Sequence, residues 1–205
     1  MKLNEQLSRI KGMMGIKEEE IQITQEPGTM LFFHGGDLDD INADYQQKSA
    51  KQKFGAGLYL ITKYDVAIKY AKGSRKFYLV SVAHGTDLND KIFPLETVMQ
   101  FLNSTFSKPK VKQIVDWLNY RPLKDNQVPA YLINNILVNH NLLNPKVSIA
   151  WKSFLIQNGV DYELVDNPFG WGETMMVLYN TDLIRNVRRI QGKDRLSTYD
   201  LKKLS

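Results

Sequence analysis

The 205-residue chain contains no cysteine, which removes disulfides, thiolate nucleophiles and cysteine-based metal sites from consideration. This fits a reducing compartment. Histidine is scarce as well. The three present, His34, His84 and His140, are far apart and show no ligand-like spacing, so no metal centre is expected. No stretch approaches the roughly 18 apolar residues that a membrane span needs. Residues 1–20 alternate charged and apolar positions rather than forming the apolar core of a signal peptide. The expectation is therefore a cytoplasmic protein, or one delivered to a host cytoplasm.

What is present is ordinary in amount and uneven in placement. A hydrophobic fraction of 43% suits one globular domain, and no linker or repeat argues for two. The net charge is +5. From Leu183 onward seven Lys and Arg face two Asp, which already gives +5, so residues 1–182 balance to zero. That makes 183–205 a basic C-terminal tail, read either as a solvated segment or as an attraction for nucleic acid or an acidic partner.

Apolar spacing predicts an N-terminal amphipathic helix within residues 1–28, through Leu3, Leu7, Ile10 and Met14. A turn at Gln25–Gly28 follows, and then a short buried strand, Thr29–Phe33. Asp37–Lys53 is polar. Its Asp37, Asp39 and Asp40 lack the glycine and distal glutamate of a calcium loop, so capping or solvation is expected. Leu58–Ile61 reads as a strand, and Thr62 as the N-cap of a helix from Lys63 to Lys72 closed by Gly73. Lys76–Ala83 is again a strand. The helical insertion, about 93–158, holds four segments of helical periodicity punctuated by Pro109, Pro122, Pro129 and Pro145. Strands resume at Asp161–Val165 and Thr174–Tyr179, which makes the fold class α+β.

Three motifs stand at the ends of these strands: Phe33-His34-Gly35-Gly36, Phe54-Gly55-Ala56-Gly57-Leu58-Tyr59 and Gly172-Glu173-Thr174-Met175-Met176-Val177. A glycine edge such as Gly35 exposes one N–H and one C=O, the complement of a carboxamide. Tyr59 and Tyr70, eleven residues apart, can flank a planar ring if strand and helix fold back on each other, and a cationic ring adds cation–π attraction. A carboxylate such as Glu173 at the head of a buried strand is costly unless paired. It either ends the strand at the surface or stabilises positive charge building on a sugar. Structural readings stand beside each of these: a core histidine, core aromatics in a β-turn-α unit, a surface strand end.

Taken together, these motifs resemble the His-Tyr-Glu branch of the ADP-ribosyltransferase superfamily, the diphtheria-toxin and poly(ADP-ribose)-polymerase type. The likeness extends through Ala67, Tyr70 and Ala71, and through Ala150, Ser153-Phe154-Leu155, Gly159-Val160-Asp161 and Asn180-Thr181-Asp182-Leu183-Ile184. It covers roughly residues 29–83 and 148–188. It implies a split antiparallel sheet core and NAD as substrate. His34 would contact the adenosine-side ribose, Gly35 would pair with the nicotinamide amide, and Tyr59 and Tyr70 would bracket the ring. Glu173 would orient the nicotinamide ribose, with Gly57 and Ala67 also lining the cofactor site. Ala67 replaces the serine of polymerase-type relatives, which leaves the carboxamide resting on Gly35. Trp171 stands where the arginine-modifying branch has a second Glu or Gln, which makes arginine a poorer acceptor. The implied activity is transfer of a single ADP-ribose to a macromolecule, protein ahead of RNA or DNA, without metal. The implied setting is a bacterial or phage toxin or effector with a possible immunity or antitoxin partner. Two rival readings are an NAD glycohydrolase and a non-catalytic nucleic-acid-binding module with a degenerate NAD site.

Overall fold

A computed structural model describes residues 25–36, 38, 53–71, 76–119 and 126–190. The expected N-terminal helix up to residue 24, most of the Asp37–Lys53 segment, Gly73 and residues 191–205 lie outside the described residues.

The fold is α+β, as its alternation of apolar strands and amphipathic helices predicts. Six strands form one antiparallel sheet: β1 (Thr29–Gly35), β2 (Leu58–Ile61), β3 (Phe77–Ala83), β6 (Tyr162–Asp166), β7 (Thr174–Leu178) and β8 (Ile184–Ile190), in the order β6-β7-β2-β1-β3-β8. A two-stranded hairpin, β4 (Ile92–Pro94) with β5 (Gln127–Pro129), stands apart. The five described helices are α1 (Tyr64–Tyr70), α2 (Leu95–Thr105), α3 (Lys108–Asn119), α4 (Ala130–Asn139) and α5 (Pro145–Gln157).

Strand alternation sorts the core into layers. On one face Leu31, Phe33, Ile61 and Leu79 meet Val66, Ala67 and Ala71 of α1 and its end. On that same face Met175, Val177 and Tyr179 meet the helical block through Leu102, Ile133, Trp151 and Leu155. Phe32, Leu58, Leu60, Val80 and Met176 form a buried layer on the opposite face. Of the expected prolines, Pro109 lies in the first turn of α3, Pro129 stands at the N-cap of α4, and Pro145 follows the Asn144 cap, whose side chain accepts the Val147 N–H at 3.1 Å, while Pro122 lies outside the described residues; Pro94, at the N-cap of α2, adds another.

Two expectations need correction. Thr62 does not cap α1: the N-cap position is Lys63 and has no side-chain cap bond. Thr62 instead prolongs the β2–β7 ladder. Its N–H donates to Thr174 O at 3.0 Å, and its hydroxyl oxygen accepts the Thr174 N–H at 2.9 Å. The second correction concerns the basic tail. Ile184–Ile190 is a strand that pairs with β3 from Phe77↔Ile190 to Val82↔Ile184. Arg185, Arg188 and Arg189 are exposed along this outer strand, a placement in which charge discourages pairing with another chain's edge.

The Gly-Val-Asp segment has a structural role. Asp161 accepts the Thr86 N–H through Oδ2 at 2.9 Å and the Asn180 side-chain amide through Oδ1 at 2.9 Å. It thereby ties the turn after β3 to the turn after β7.

Candidate active site

The site is built where β1 parts from β2. Gly36 N–H donates to Lys76 O, and His84 N–H donates to Gly28 O. The even-numbered residues of β1 therefore exchange bonds with β3, and Phe33 and Gly35 direct their N–H and C=O toward β2. Phe33 meets Ile61 there, and that is the whole of the β1–β2 register. Continued by two residues, the register would set Gly35 opposite Tyr59. Instead the Tyr59 carbonyl lies 2.8 Å from His34 Nδ1. A carbonyl only accepts, so Nδ1 carries the proton and Nε2 is the acceptor nitrogen of the neutral ring. The imidazole is buried, and burial lowers its pKa below the ordinary 6.5, an effect the bond to Tyr59 partly offsets. His34 thus acts as a neutral wedge at the point where the strands separate.

Gly35 is required by its other side. A Cβ there would lie 2.0 Å from Ala67 O and 3.0 Å from Ala71 N. The last turns of α1 therefore rest directly on the β1 backbone. Ala67 is buried in that seam, packed between helix and strand rather than facing an open cleft. The same turn of α1 carries Tyr70, which is 56% exposed. Gly57 is also a packing glycine: a Cβ would meet Val177 Cγ1 at 2.6 Å and Leu178 O at 3.2 Å. Tyr59 begins one residue beyond Leu58, with its phenol donating to Gly55 O at 2.6 Å. Its side chain packs against the core shared with the helical block.

Glu173 is 0% exposed, so the surface-end reading of this residue fails. Its Oε1 accepts the Phe169 N–H at 2.6 Å and its Oε2 the Trp171 N–H at 2.9 Å. The loop between β6 and β7 closes on itself through Asn167, whose N–H donates to Glu173 O at 2.7 Å and whose side-chain oxygen accepts the Gly172 N–H at 2.6 Å. Backbone N–H groups of 169 and 171 point inward at the carboxylate while both side chains reach solvent. Phe169 lies 6.0 Å from Tyr70 and 6.0 Å from Trp171, ring centre to ring centre. Lys69 Nζ sits 3.5 Å over the Trp171 indole, and the Lys63 ammonium bonds Trp171 O. The Tyr70 phenol titrates above its ordinary value, through burial and then through the negative charge of Glu173.

Of the residues singled out in the sequence, the structure brings His34 to Tyr59 directly and Tyr70 into the field of Glu173. Gly35 links the two pairs through its seat under α1. Gly57 and Ala67 support the walls. Among the described residues no group of three His, Asp or Glu side chains converges as a metal site, and no described helix is long and apolar enough to cross a membrane.

The sequence reading missed a second buried carboxylate. Glu163 of β6 accepts the Asn134 side-chain amide through Oε1 at 2.8 Å and the Tyr179 hydroxyl through Oε2 at 3.1 Å. Asn134 in turn accepts the Trp151 indole N–H at 3.0 Å. Burial pushes the Glu163 carboxyl up to about 7. The signal was visible in Tyr162-Glu163-Leu164-Val165, a carboxylate inside an apolar strand, the same pattern that drew attention to Glu173. No family model, no curated protein and no solved structure matches this chain.

Proposed function

We propose that this protein is an NAD-dependent mono-ADP-ribosyltransferase of the His-Tyr-Glu type, with an ADP-ribosyltransferase-like split sheet around its cleft. The observation that carries the reading is the parting of β1 from β2. There the His34 imidazole bonds the Tyr59 carbonyl, at the position where a continuous ladder would set Tyr59 opposite Gly35. Gly35 sits at this parting, its backbone edge turned away from β3 and its α-carbon under the α1 turn that bears Tyr70.

In this reading the Gly35 N–H and C=O pair with the nicotinamide carboxamide. Tyr59 and Tyr70 flank the ring, whose positive charge favours aromatic faces. Glu173 acts on the ribose. Glu173 is fully buried under the loop whose Phe169 and Trp171 N–H groups bond its two oxygens, so in this reading that loop moves aside for a ribose hydroxyl to take an acceptor position the N–H groups leave open. The C1′–N bond breaks with its electron pair leaving on nicotinamide, and positive charge develops on the ribose. A buried, pre-oriented carboxylate stabilises that charge where it forms. An acceptor nucleophile on a macromolecule then bonds to C1′ and gives up its proton.

The test is nicotinamide release from NAD, followed by chromatography for wild type, Tyr70→Ala and Glu173→Gln. Release by wild type that falls strongly in both variants supports the assignment. Equal release by Glu173→Gln would remove it. Release with no ADP-ribose found on any macromolecule would make water the acceptor and the protein a glycohydrolase.

A further inference from the structure

The helical block has no part in the reaction as described so far, yet one buried polar chain runs from it to the site. The Trp151 indole of α5 donates to Asn134 of α4, Asn134 donates to Glu163 of β6, and Tyr179 just beyond β7 donates to the other Glu163 oxygen. The sheet register carries this toward Tyr59. Glu163 pairs with Val177, and Val177 pairs with Tyr59, so the three form one row on the face under the helices. Tyr179 is the next residue of that face along β7. In the continued register it stands opposite Gly57, and the space where Gly57 lacks a side chain is bounded by the Tyr179 ring, 3.6 Å from the Cβ that is absent. Tyr59 therefore lies beside a wall made of Val177 and Tyr179.

We propose that Glu163 is a positioning residue that fixes the ring of Tyr59 for nicotinamide binding by holding Tyr179 in this wall. The proposal rests on the NAD reading of the site. Both partners of Glu163 donate to it, so the arrangement belongs to the ionised carboxylate. On protonation the carboxyl becomes a donor, and of its two partners only the Tyr179 oxygen can accept its proton, so the Tyr179 bond reverses and the Tyr179 proton loses the one acceptor it has among its described bonds. Asn134 is pinned from behind because its oxygen receives the Trp151 N–H. The Tyr179 hydroxyl has no such second tie among its described bonds, so protonation acts on Tyr179 rather than on Asn134. Burial brings this titration to about 7, with the nearby Asp87 charge adding to the rise. Asn134 carries no charge, and burial holds the Tyr179 phenol well above its ordinary value, so neither is charged at that pH. His34, which holds the Tyr59 carbonyl, titrates below its ordinary 6.5, so its effect falls lower on the pH axis.

The experiment measures kcat and KM for NAD between pH 6 and 8.5 for wild type, Glu163→Gln and Tyr179→Phe. It also follows the Tyr59 ring resonances with carbon-labelled tyrosine, assigned by comparison with Tyr59→Phe. In wild type, KM is expected to rise about three- to tenfold as pH falls through neutrality, the equivalent of one hydrogen bond, with kcat changing less. Both variants should show the raised KM at every pH. A variant that keeps the wild-type pH profile overturns the proposal, and Tyr179→Phe keeps the test open if Glu163→Gln fails to fold. If wild type does not turn over NAD, the enzymatic reading fails by itself. The ring resonances then decide the positioning role: a shift near pH 7 that the variants lack upholds it, and an unmoved ring refutes it.

Discussion

Replacing Glu163 by glutamine removes a titrating group from the core without changing its size, and the structure fixes the sign and scale of the outcome. The carboxyl titrates at about 7 in the folded protein against an ordinary 4.5. Between those values the folded chain holds a proton that the unfolded chain has released. Stability attributable to Glu163 is therefore complete below about pH 4.5 and declines as pH rises toward 7. The span of about 2.5 units corresponds to about 3 kcal/mol, at 1.36 kcal/mol for each unit. Glutamine has no such dependence, though its single oxygen satisfies only one of the two donors, which costs about 1–3 kcal/mol at all pH values. Other groups titrate in the same window. His34, with its pKa lowered by burial, acts in the opposite sense, because its contribution is lost as pH falls below 6.5. Comparing the variant with wild type at each pH cancels these shared effects. Urea unfolding at pH 5 and pH 8 should therefore show Glu163→Gln gaining about 2.5 kcal/mol relative to wild type between the two, most of that span. An unchanged difference would mean that Glu163 ionises in the fold as it does in water, and the account of a buried charge would fail.

Other outcomes follow from single contacts. Gly35→Ala places a methyl 2.0 Å from the Ala67 carbonyl oxygen. Backbone cannot swing aside, so α1 must lift from β1, with a loss of about 2 kcal/mol and weaker NAD binding; a wild-type melting temperature would show that α1 is not seated there. Thr62→Val deletes the acceptor of the Thr174 N–H and should cost about 1 kcal/mol, read as a lower urea midpoint with an unchanged slope. Glu173→Gln leaves one of the Phe169 and Trp171 N–H groups facing an amide NH2. It should lose about 1–2 kcal/mol of stability while remaining folded by circular dichroism.

Much of the fold was readable because its elements are marked by period and punctuation. Leu58–Ile61 and the four helices of the block follow directly from apolar spacing and from prolines at their starts. Ile184–Ile190 was hidden because an outer strand buries little: its arginines face solvent, so the segment looks like a charged tail until β3 is there to pair with it. Thr62 misled for a related reason. A threonine before a helix has the right chemistry for a cap, but its oxygen found the Thr174 N–H of a strand distant in sequence, which local reading cannot supply. At the site, the types and order of His34, Tyr59 and Glu173 were legible. The use of His34 as a wedge between strands was not, because it depends on the β1–β2 register. Nor was the folding of the loop's N–H groups onto Glu173, because it depends on a backbone path through Asn167, Gly170 and Gly172, all at positive φ.

The central claim, that Glu173 promotes departure of nicotinamide so that ADP-ribose passes to a macromolecule, is tested most directly with NAD labelled in its adenylate phosphate. The purified protein is incubated with cell lysate, wild type beside Glu173→Gln. The account predicts label on a discrete macromolecule with wild type, none with the variant, and removal of that label by protease if the acceptor is protein. Equal labelling by the two proteins would contradict the role given to Glu173. Absence of both label and NAD consumption, in a lysate that supports a control transferase, would contradict the activity itself.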